Sequence, residues 1–377
     1  MAASFKVVAL GVRGSGKTVY FAILHHLLRN KQIADGLAIK VQPPVVRNRF
    51  EDLYQRIADP TRPWPEATVR GSIDEWTFSF VVNARGKSFP IMDIEYVDYA
   101  GELLASVTAD DAVREDLTQR IHSAHALLVI VDGQQLFGLL SGQLSEDRFY
   151  RDNIEPIIPA LLECAGPIHL VISKWDLIDG RFTLKDCRNR LLSLQESWLR
   201  DQLRVRREGR NGHSAARGLM RVIPVSSVGA FVKPEGSFMQ RQAGMTPTPQ
   251  NILVPFLAIA PDLAWSALNQ WQADRQASRR SSSADAQASS NTAFSFMSLA
   301  VSHHFLAAVA GSAVGGTAAT WKFFFKHRVP LGVFLTRFRE PRLRSVRRAR
   351  SAYQYAVKSI VHKLREYDDD FPDSRLI

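Results

Sequence analysis

Two patterns of hydrophobic positions alternate along roughly the first 260 residues of the chain. Short apolar runs, typical of buried strands, are separated by segments whose apolar residues recur every three or four positions. The helical pattern is clearest from Thr18 to Leu28, where Val19, Ile23 and Leu27 form one stripe. The runs predicted as strands are Phe5–Leu10, Trp76–Val82, Ile91–Asp98, Ala126–Asp132, Ile168–Ser173 and Val222–Val225.

The connections between these strands indicate how they are layered. Only a short polar stretch around Arg85 and Gly86 separates the second strand from the third, which predicts a hairpin. Helical segments separate most of the others, which favours parallel pairing. We therefore predict an α/β fold in three layers, α/β/α, with a mostly parallel sheet, one antiparallel edge strand and a helical C-terminal region.

Changes in composition divide the chain into predicted units. Residues 1–275 form the α/β domain, interrupted at residues 199–221 by an Arg-rich insertion. This insertion is either a solvated loop or a contact surface for an acidic partner. Residues 276–292 are rich in Ser and Ala and predict a flexible linker. Residues 293–377 form a separate region.

The C-terminal region contains an apolar segment and a basic one. No charged residue occurs between Asp285 and Lys322, and the apolar segment 294–321 is long enough for a bilayer span of about 20 residues. Membrane attachment and a buried helix packed on the domain or on a partner are both open. Past Pro341, an Arg-rich amphipathic pattern suits either an anionic membrane surface or another helix.

Charge and cysteine content narrow the partners and the compartment. The 377-residue chain has a net charge of +11, concentrated after residue 320, so the rest of the chain is nearly neutral. No aromatic stacking platform accompanies the basic residues, and nucleic acid is not expected as a partner. Two cysteines form no disulfide framework, and the N-terminus lacks the features of a secretory signal. We predict a cytoplasmic protein, with association with the inner face of the membrane left open.

One motif predicts phosphate binding. Residues 11–18, GVRGSGKT, match G-x-x-x-x-G-K-[ST] between a predicted strand and a predicted helix, the context that this motif requires. Its glycines let backbone N–H groups surround phosphates, and the helix N-terminus adds positive charge. The predicted nucleotide-binding residues of this phosphate loop are Gly11, Gly14, Ser15, Gly16, Lys17 and Thr18. Lys17 would reach the outer phosphates, and the Thr18 hydroxyl would ligate Mg²⁺.

Three further motifs follow later strands. Asp98 begins Asp-x-x-Gly, in which the carboxylate could hold Mg²⁺ through a water and the Gly101 N–H could contact the terminal phosphate. Ser-Lys-Trp-Asp follows the fifth strand; Asp176 could accept two hydrogen bonds from guanine, and the Lys174 stem could cover the base. Val-Ser-Ser follows the last strand, where a backbone N–H of Ser226 or Ser227 could reach the guanine carbonyl.

These four motifs, in this order and at these strand ends, resemble the translation-factor-related (TRAFAC) class of P-loop GTPases with a Ras-like G domain. The resemblance covers the chain from about Phe5 to Phe256. The phosphate-loop sequence and the run Trp-Pro-Glu-Ala-Thr that ends at Thr68 resemble bacterial members, including double-GTPase proteins of predicted conflict systems. The resemblance implies a Ras-like P-loop NTPase fold, GTP and GDP as ligands, Mg²⁺, and GTP hydrolysis.

The resemblance also assigns roles near the γ-phosphate. Thr68 is the candidate for the first-switch threonine that closes on Mg²⁺ and the γ-phosphate, with Thr61 and Thr77 as alternatives. Glu102 stands where Ras-like enzymes carry a water-orienting glutamine; it could orient water as a base, or repel the phosphate charge. Arg13 could neutralise transition-state charge as an internal arginine finger, block an external one, or pair with a surface carboxylate.

Two other features of the sequence concern the loop beside the base and the possibility of a metal site. Ser173 replaces the usual Asn or Thr before Lys-x-Asp, which weakens support of that loop but keeps Asp176. The histidines occur as neighbouring pairs at 25/26, 122/125 and 303/304, and we interpret all six as structural rather than metal-binding because no ligand set accompanies them.

The sequence thus predicts a guanine-nucleotide switch whose C-terminal module attaches it to a membrane or a partner, with a protein effector or activating partner also implied. A second hypothesis is a scaffold that binds GTP but barely hydrolyses it, because Glu102 occupies the glutamine position. A third is a membrane effector in which the nucleotide domain gates the segment 294–321.

Overall fold

A seven-stranded sheet organises the computed structural model, which describes residues 3–30, 37–65, 73–84, 87–99, 111–164, 166–194, 220–235, 238–242, 244–259, 262 and 362–375. Its strands are β1 (Ala3–Leu10), β2 (Leu37–Gln42), β3 (Ile73–Ala84), β4 (Lys87–Tyr99), β5 (Ala126–Val131), β6 (Ile168–Ile172) and β7 (Met220–Pro224). They lie in the order β2-β3-β4-β1-β5-β6-β7. A separate hairpin consists of β8 (Val232–Glu235) and β9 (Phe238–Arg241).

The pairing confirms the predicted mixture of parallel and antiparallel strands. β4, β1, β5, β6 and β7 pair in parallel, whereas β3 is antiparallel to β4 and forms the predicted hairpin with it. β2 was not predicted from the hydrophobic pattern; it pairs antiparallel with β3 and forms the outer edge. The six predicted strands are all present.

Helices cover both faces of the sheet. The helices are α1 (Lys17–Asn30), α2 (Pro44–Ala58), α3 (Asp111–Ser123), α4 (Gly133–Leu140), α5 (Glu146–Phe149), α6 (Ile158–Glu163), α7 (Leu184–Ser193), α8 (residues 254–259) and α9 (residues 362–370). A π-helical turn, Tyr150–Ile154, and a 3₁₀ turn, Glu155–Ile157, connect α5 to α6. The fold is therefore the three-layer Ras-like α/β arrangement expected of a P-loop NTPase.

The core consists of two apolar clusters, one on each face of the sheet. Successive residues of β1 alternate between them: Val7 and Ala9 face one cluster, and Val8 and Leu10 face the other. This alternation follows from the two-residue period of a strand, and burial on both faces explains why the second half of β1, Val7 to Leu10, is uninterrupted by polar residues.

The last part of the described chain packs onto the same core. Leu364 and Tyr367 of α9 are buried in the first cluster, and Phe371 contacts both clusters. Arg375 then forms an antiparallel bridge with Arg221 of the edge strand β7. Residues 362–375 are thus part of the body that contains residues 3–259, although they follow it by about a hundred positions. The linker, the apolar segment 294–321 and most of the basic stretch lie outside the described residues.

The β8–β9 hairpin holds the end of α2. Arg241 donates to the carbonyl oxygens of Ile57 (3.1 Å) and Arg62 (2.9 Å), and also to that of Arg56. Its guanidinium carbon lies 5.2 Å from the centre of the Trp64 ring. Carbonyls at a helix C-terminus lack partners within the helix, so this arginine supplies donors where they are needed.

Candidate functional site

The phosphate loop lies between β1 and α1, as predicted. Gly14 and Gly16 adopt φ of 81° and 88°, a region that favours glycine. At Gly11 the reason for glycine is space, because a Cβ there would lie 2.7 Å from the Ile130 carbonyl oxygen. The loop therefore needs glycine at all three positions, for backbone conformation at two and for close packing at one.

Two side chains of this loop are buried beneath its backbone. The Lys17 side chain folds inward, only 7% of the residue is exposed, and its ammonium donates to the Gly11 carbonyl. Ser15 is fully buried, and its hydroxyl has no hydrogen-bond partner within the described part of the chain. Arg13 is exposed at the tip. The loop thus presents backbone N–H groups together with a buried cation, a combination that suits phosphate oxygens.

The Ser-Lys-Trp-Asp motif forms a tight turn after β6. Lys174 adopts a left-handed backbone conformation, with φ of 51°. The turn is tied to neighbouring strands: the Ser173 N–H donates to the Val131 carbonyl (3.0 Å), and the Trp175 N–H donates to the Val225 carbonyl (3.1 Å). Ser173 also donates its hydroxyl to the Val131 carbonyl (3.1 Å). These bonds place the turn beside β5 and the end of β7.

Asp176 is already held by a second side chain. The Ser226 hydroxyl donates to the Asp176 carboxylate and accepts the Gly229 N–H at 2.9 Å. Burial raises the pKa of Asp176, and the hydrogen bond from Ser226 and the charge of Lys174 only partly oppose that rise. The carboxylate is therefore directed by its neighbours before any ligand binds.

The backbone of Ser226 is also engaged. Its N–H donates to the Gln250 carbonyl (3.2 Å), and its carbonyl accepts the Gln250 N–H (2.8 Å). The two serines predicted near the base therefore differ: Ser226 orients Asp176 through its hydroxyl, and Ser227 becomes the candidate for an N–H directed at the guanine carbonyl.

Three of the motifs meet at the carboxyl ends of the parallel strands. A Cβ on Gly16 would lie 3.9 Å from the Ser173 Cβ, so the phosphate loop and the Ser-Lys-Trp-Asp turn adjoin. The backbone of Asp98 pairs in register with Ala9, two residues before the phosphate loop. Crevices outside the carboxyl ends of strands are where open α/β sheets bind ligands.

Several predicted residues lie outside the described part of the chain: Thr68, Gly101 and Glu102. The alternatives to Thr68 are described. Thr61 donates its N–H and hydroxyl to Asp59 (2.8 and 2.6 Å), which engages it in a local turn. Thr77 lies within β3, in register with Gln42 and Glu95.

The described histidines contact protein groups. His25 is buried, and burial lowers its pKa to about 4, so it is neutral at pH 7. His26 stacks on Tyr54 with ring centres 3.4 Å apart. His122 lies 3.2 Å from a Glu163 carboxylate oxygen, and His125 accepts the Lys6 N–H at 2.9 Å. Among the described residues, no three His, Cys, Asp or Glu side chains gather as a metal site.

Sequence reasoning missed one charged residue beside the site. Asp132 follows β5, accepts the Gln134 N–H (2.9 Å) at the start of α4, and accepts a hydrogen bond from the Lys174 ammonium (2.9 Å). The signal available in the sequence was a lone carboxylate directly after an uninterrupted apolar strand.

A comparison with known families identifies the part of the chain that carries the phosphate end of the site, and not the Ser-Lys-Trp-Asp turn. Residues 8–147 match the family described as Double-GTPase 1 (DO-GTPase1). The matched segment includes the phosphate loop, Asp98 and Asp132, and the match supports GTP binding and hydrolysis as its general activity. No curated protein matches the chain.

Proposed function

We propose that this chain, which contains a P-loop GTPase domain of the double-GTPase family, is a Mg²⁺-dependent guanine-nucleotide switch. The observation that carries the proposal is the convergence of the phosphate loop and the Asp176 turn on one edge of the sheet. A nucleotide lying along this edge would contact both, with its phosphates at Lys17 and its base at Asp176.

The residues at the phosphate end suit a nucleotide with Mg²⁺. The hydroxyl of Thr18, at the start of α1, and the carboxylate of Asp98, at the end of β4, would hold the ion. Mg²⁺ would supply charge that offsets the negative charge of the phosphates. Lys17 would exchange its bond to the Gly11 carbonyl for the outer phosphate oxygens, and backbone N–H groups of the loop would donate to the remaining ones.

The residues at the base end favour guanine over adenine. A carboxylate accepts hydrogen bonds only, and guanine presents two adjacent donors, N1–H and the 2-amino group. Adenine presents an acceptor at N1, so the partly buried Asp176 carboxylate would keep its bond from Ser226 but gain none from the base, which costs free energy. The Ser227 N–H is the proposed donor to the guanine carbonyl, and the Lys174 stem would lie along the base.

Hydrolysis would rest on positioning and charge. Arg13, exposed at the tip of the phosphate loop, is the proposed internal source of positive charge at the γ-phosphate. Thr68 and Glu102 are proposed to close on the γ-phosphate and to orient water, respectively. The alternative, a GTP-gated scaffold, is favoured by Glu102, because an ionised carboxylate there would oppose approach to the phosphate.

Binding and single-turnover hydrolysis test this proposal together. The full chain with Mg²⁺ should bind fluorescent GTP and GDP at least about 100-fold more tightly than ATP. Guanine donates two hydrogen bonds to the Asp176 carboxylate, and adenine does not. Equal affinity for GTP and ATP would refute guanine recognition. A single-turnover hydrolysis rate that is lower in Arg13→Ala by about 100-fold or more supports Arg13 as an internal arginine finger. Guanine binding with turnover absent from both proteins supports the scaffold.

We also propose that the C-terminal module, residues 293–377, attaches the switch to an anionic membrane or a protein partner. Within the described residues, no helix is long and apolar enough to cross a bilayer; the segment 294–321 is not among those residues. The apolar segment followed by a basic stretch is the feature that motivates the proposal.

Vesicle flotation tests this attachment. Truncation at Gln276 would remove Leu364 and Tyr367 from the core, so the matched variant should lack residues 294–321 only and keep α9. The full chain should float with anionic vesicles, and the internal deletion should remain at the bottom of the gradient. If the two proteins distribute identically, residues 294–321 do not attach the chain to membranes.

A further inference from the structure

A buried ion pair lies behind the proposed base site. The Lys174 ammonium is 2.9 Å from one carboxylate oxygen of Asp132, and the side chains are 19% and 8% exposed. The pair joins the end of β5 to the turn after β6, across 42 positions of sequence. Because both groups are largely removed from water, the distance and direction between them affect the free energy of the pair more than they would at the surface.

Asp132 divides its two carboxylate oxygens between two tasks. One oxygen accepts the Gln134 N–H and caps α4; the other accepts the hydrogen bond from Lys174. The cap holds the carboxylate at a fixed place relative to β5 and α4, where a helix N-terminus favours negative charge. The lysine, in contrast, has a long flexible side chain, and its position depends on this acceptor.

The backbone around the pair is tightly packed. A Cβ on Gly133 would lie 1.8 Å from the Ser173 carbonyl oxygen, so the start of α4 directly contacts the turn that carries Lys174. Ser173 is further bound to the carbonyl of Val131, the residue before Asp132. The two ends of the ion pair therefore lie on segments that cannot move far relative to each other.

We propose that Asp132 is a positioning residue for guanine-nucleotide binding: it holds the Lys174 ammonium so that the lysine stem is already placed along the base and ribose. This inference rests on the proposed function. Without Asp132, the lysine would be ordered only when the nucleotide binds, and that ordering costs free energy at each binding event. Asp132 itself touches no part of the nucleotide, so its effect passes through Lys174.

The test is Asp132→Asn in the full chain, with fluorescent GDP and IDP as the probes. Asparagine keeps an oxygen for the α4 cap but loses the charge that holds Lys174. We expect affinity for GDP to fall about tenfold, the scale of a hydrogen bond to a charged group. The ratio of GDP to IDP affinity should not change, because the Asp176 contact with the 2-amino group is untouched.

A double-mutant cycle separates positioning from a general structural role. In a Lys174→Met background, Asp132→Asn should change GDP affinity less than twofold, because the pair is already broken. Asp186→Asn is the matched control: this carboxylate also accepts a backbone N–H at the start of a helix, α7, but pairs with no lysine amine in the described contacts. It should bind GDP as the wild type does.

The outcomes distinguish this inference from the proposed function. If the wild type does not prefer GDP to ADP, the proposed function fails first. If the wild type prefers GDP and Asp132→Asn binds it equally well, the positioning role is refuted. Additive effects of Asp132→Asn and Lys174→Met on GDP affinity would also overturn it. So would a urea unfolding midpoint that falls in Asp132→Asn in step with its GDP affinity, because the loss of affinity would then follow from a loss of stability.

Discussion

Replacing Arg221 by methionine is expected to lower the free energy of unfolding by about 3–5 kcal/mol, the cost of breaking a buried ion pair from one side. The Arg221 side chain is 3% exposed and donates to both carboxylate oxygens of Asp262, at 2.6 and 2.9 Å. It also donates to Asp368 at 3.0 Å. The substitution would leave the Asp262 carboxylate buried without its guanidinium partner, although its hydrogen bond with His169 would remain.

This prediction has a matched control. Arg375 also pairs with Asp368, but its side chain is 43% exposed, so Arg375→Met should cost less than about 1 kcal/mol. Urea unfolding followed by far-UV circular dichroism measures both. Equal small losses would mean that the buried guanidinium does not hold the two carboxylates.

Arg221 ties two distant parts of the chain to the edge strand β7. Asp262 lies three positions past residue 259, where α8 ends, and Asp368 lies in α9, so residues 263–367 separate the two carboxylates along the chain. Loss of Arg221 would remove an ion pair from each end of the segment that joins them. In Arg221→Met, limited proteolysis should therefore release the C-terminal segment earlier than in Arg375→Met.

The same network sets a direction for acid sensitivity. Burial raises the pKa of Asp262, but the charge of Arg221 and the hydrogen bonds from His169 and Arg221 outweigh it, and the net shift is downward. A carboxyl whose pKa is lower in the folded state stabilises the fold above its unfolded pKa, about 3.9, and loses that contribution as the pH falls. Stability should therefore decline progressively below about pH 4, and less so in Arg221→Met.

Replacing Asp176 by asparagine is expected to weaken GDP binding by about 100-fold and to improve binding of xanthosine diphosphate. The carboxylate can accept from both guanine donors, whereas an amide presents one acceptor and one donor group. Xanthine carries a carbonyl where guanine has its amine, so the amide N–H finds an acceptor there. Ser226 can still contact the asparagine oxygen, which preserves the local structure.

Competition binding with fluorescent GDP measures the change in preference from GDP to xanthosine diphosphate. Asp179→Asn is the control, because Asp179 is exposed near the same turn and accepts only the Gly180 N–H, at 3.1 Å, in the contacts described. It should retain guanine preference. If Asp176→Asn keeps wild-type affinity for GDP, Asp176 does not contact the base, and the base end of the proposed site is wrong.

The phosphate end of the site was predictable because its determinants are local. A buried strand, a glycine-rich turn and a helix follow one another within residues 3–30, and strand periodicity, positive-φ glycine and helix amphipathicity each leave a sequence pattern. The same holds for the strands that precede Asp98 and Lys174, because the carboxyl ends of parallel strands meet at one edge of the sheet.

The base end was predictable only in part. Asp176 and Ser226 could each be assigned to a strand end, but 50 positions separate them, and only the parallel pairing of β6 with β7 brings their side chains together. Likewise, Asp132 reads in the sequence as an isolated carboxylate. Its role depends on Lys174 adopting a left-handed backbone conformation beside it.

By itself the sequence determined the three-layer α/β fold, the phosphate loop and the order of the motifs, since these follow from periodicities and turn chemistry within short segments. Tertiary structure decided which distant segments contact one another. It placed β2 at the edge, returned α9 to the core, and closed the contacts of Arg221 across 147 positions. Such contacts depend on how the chain closes in space, and no local pattern of apolar and polar residues records which distant partner a buried charge will meet.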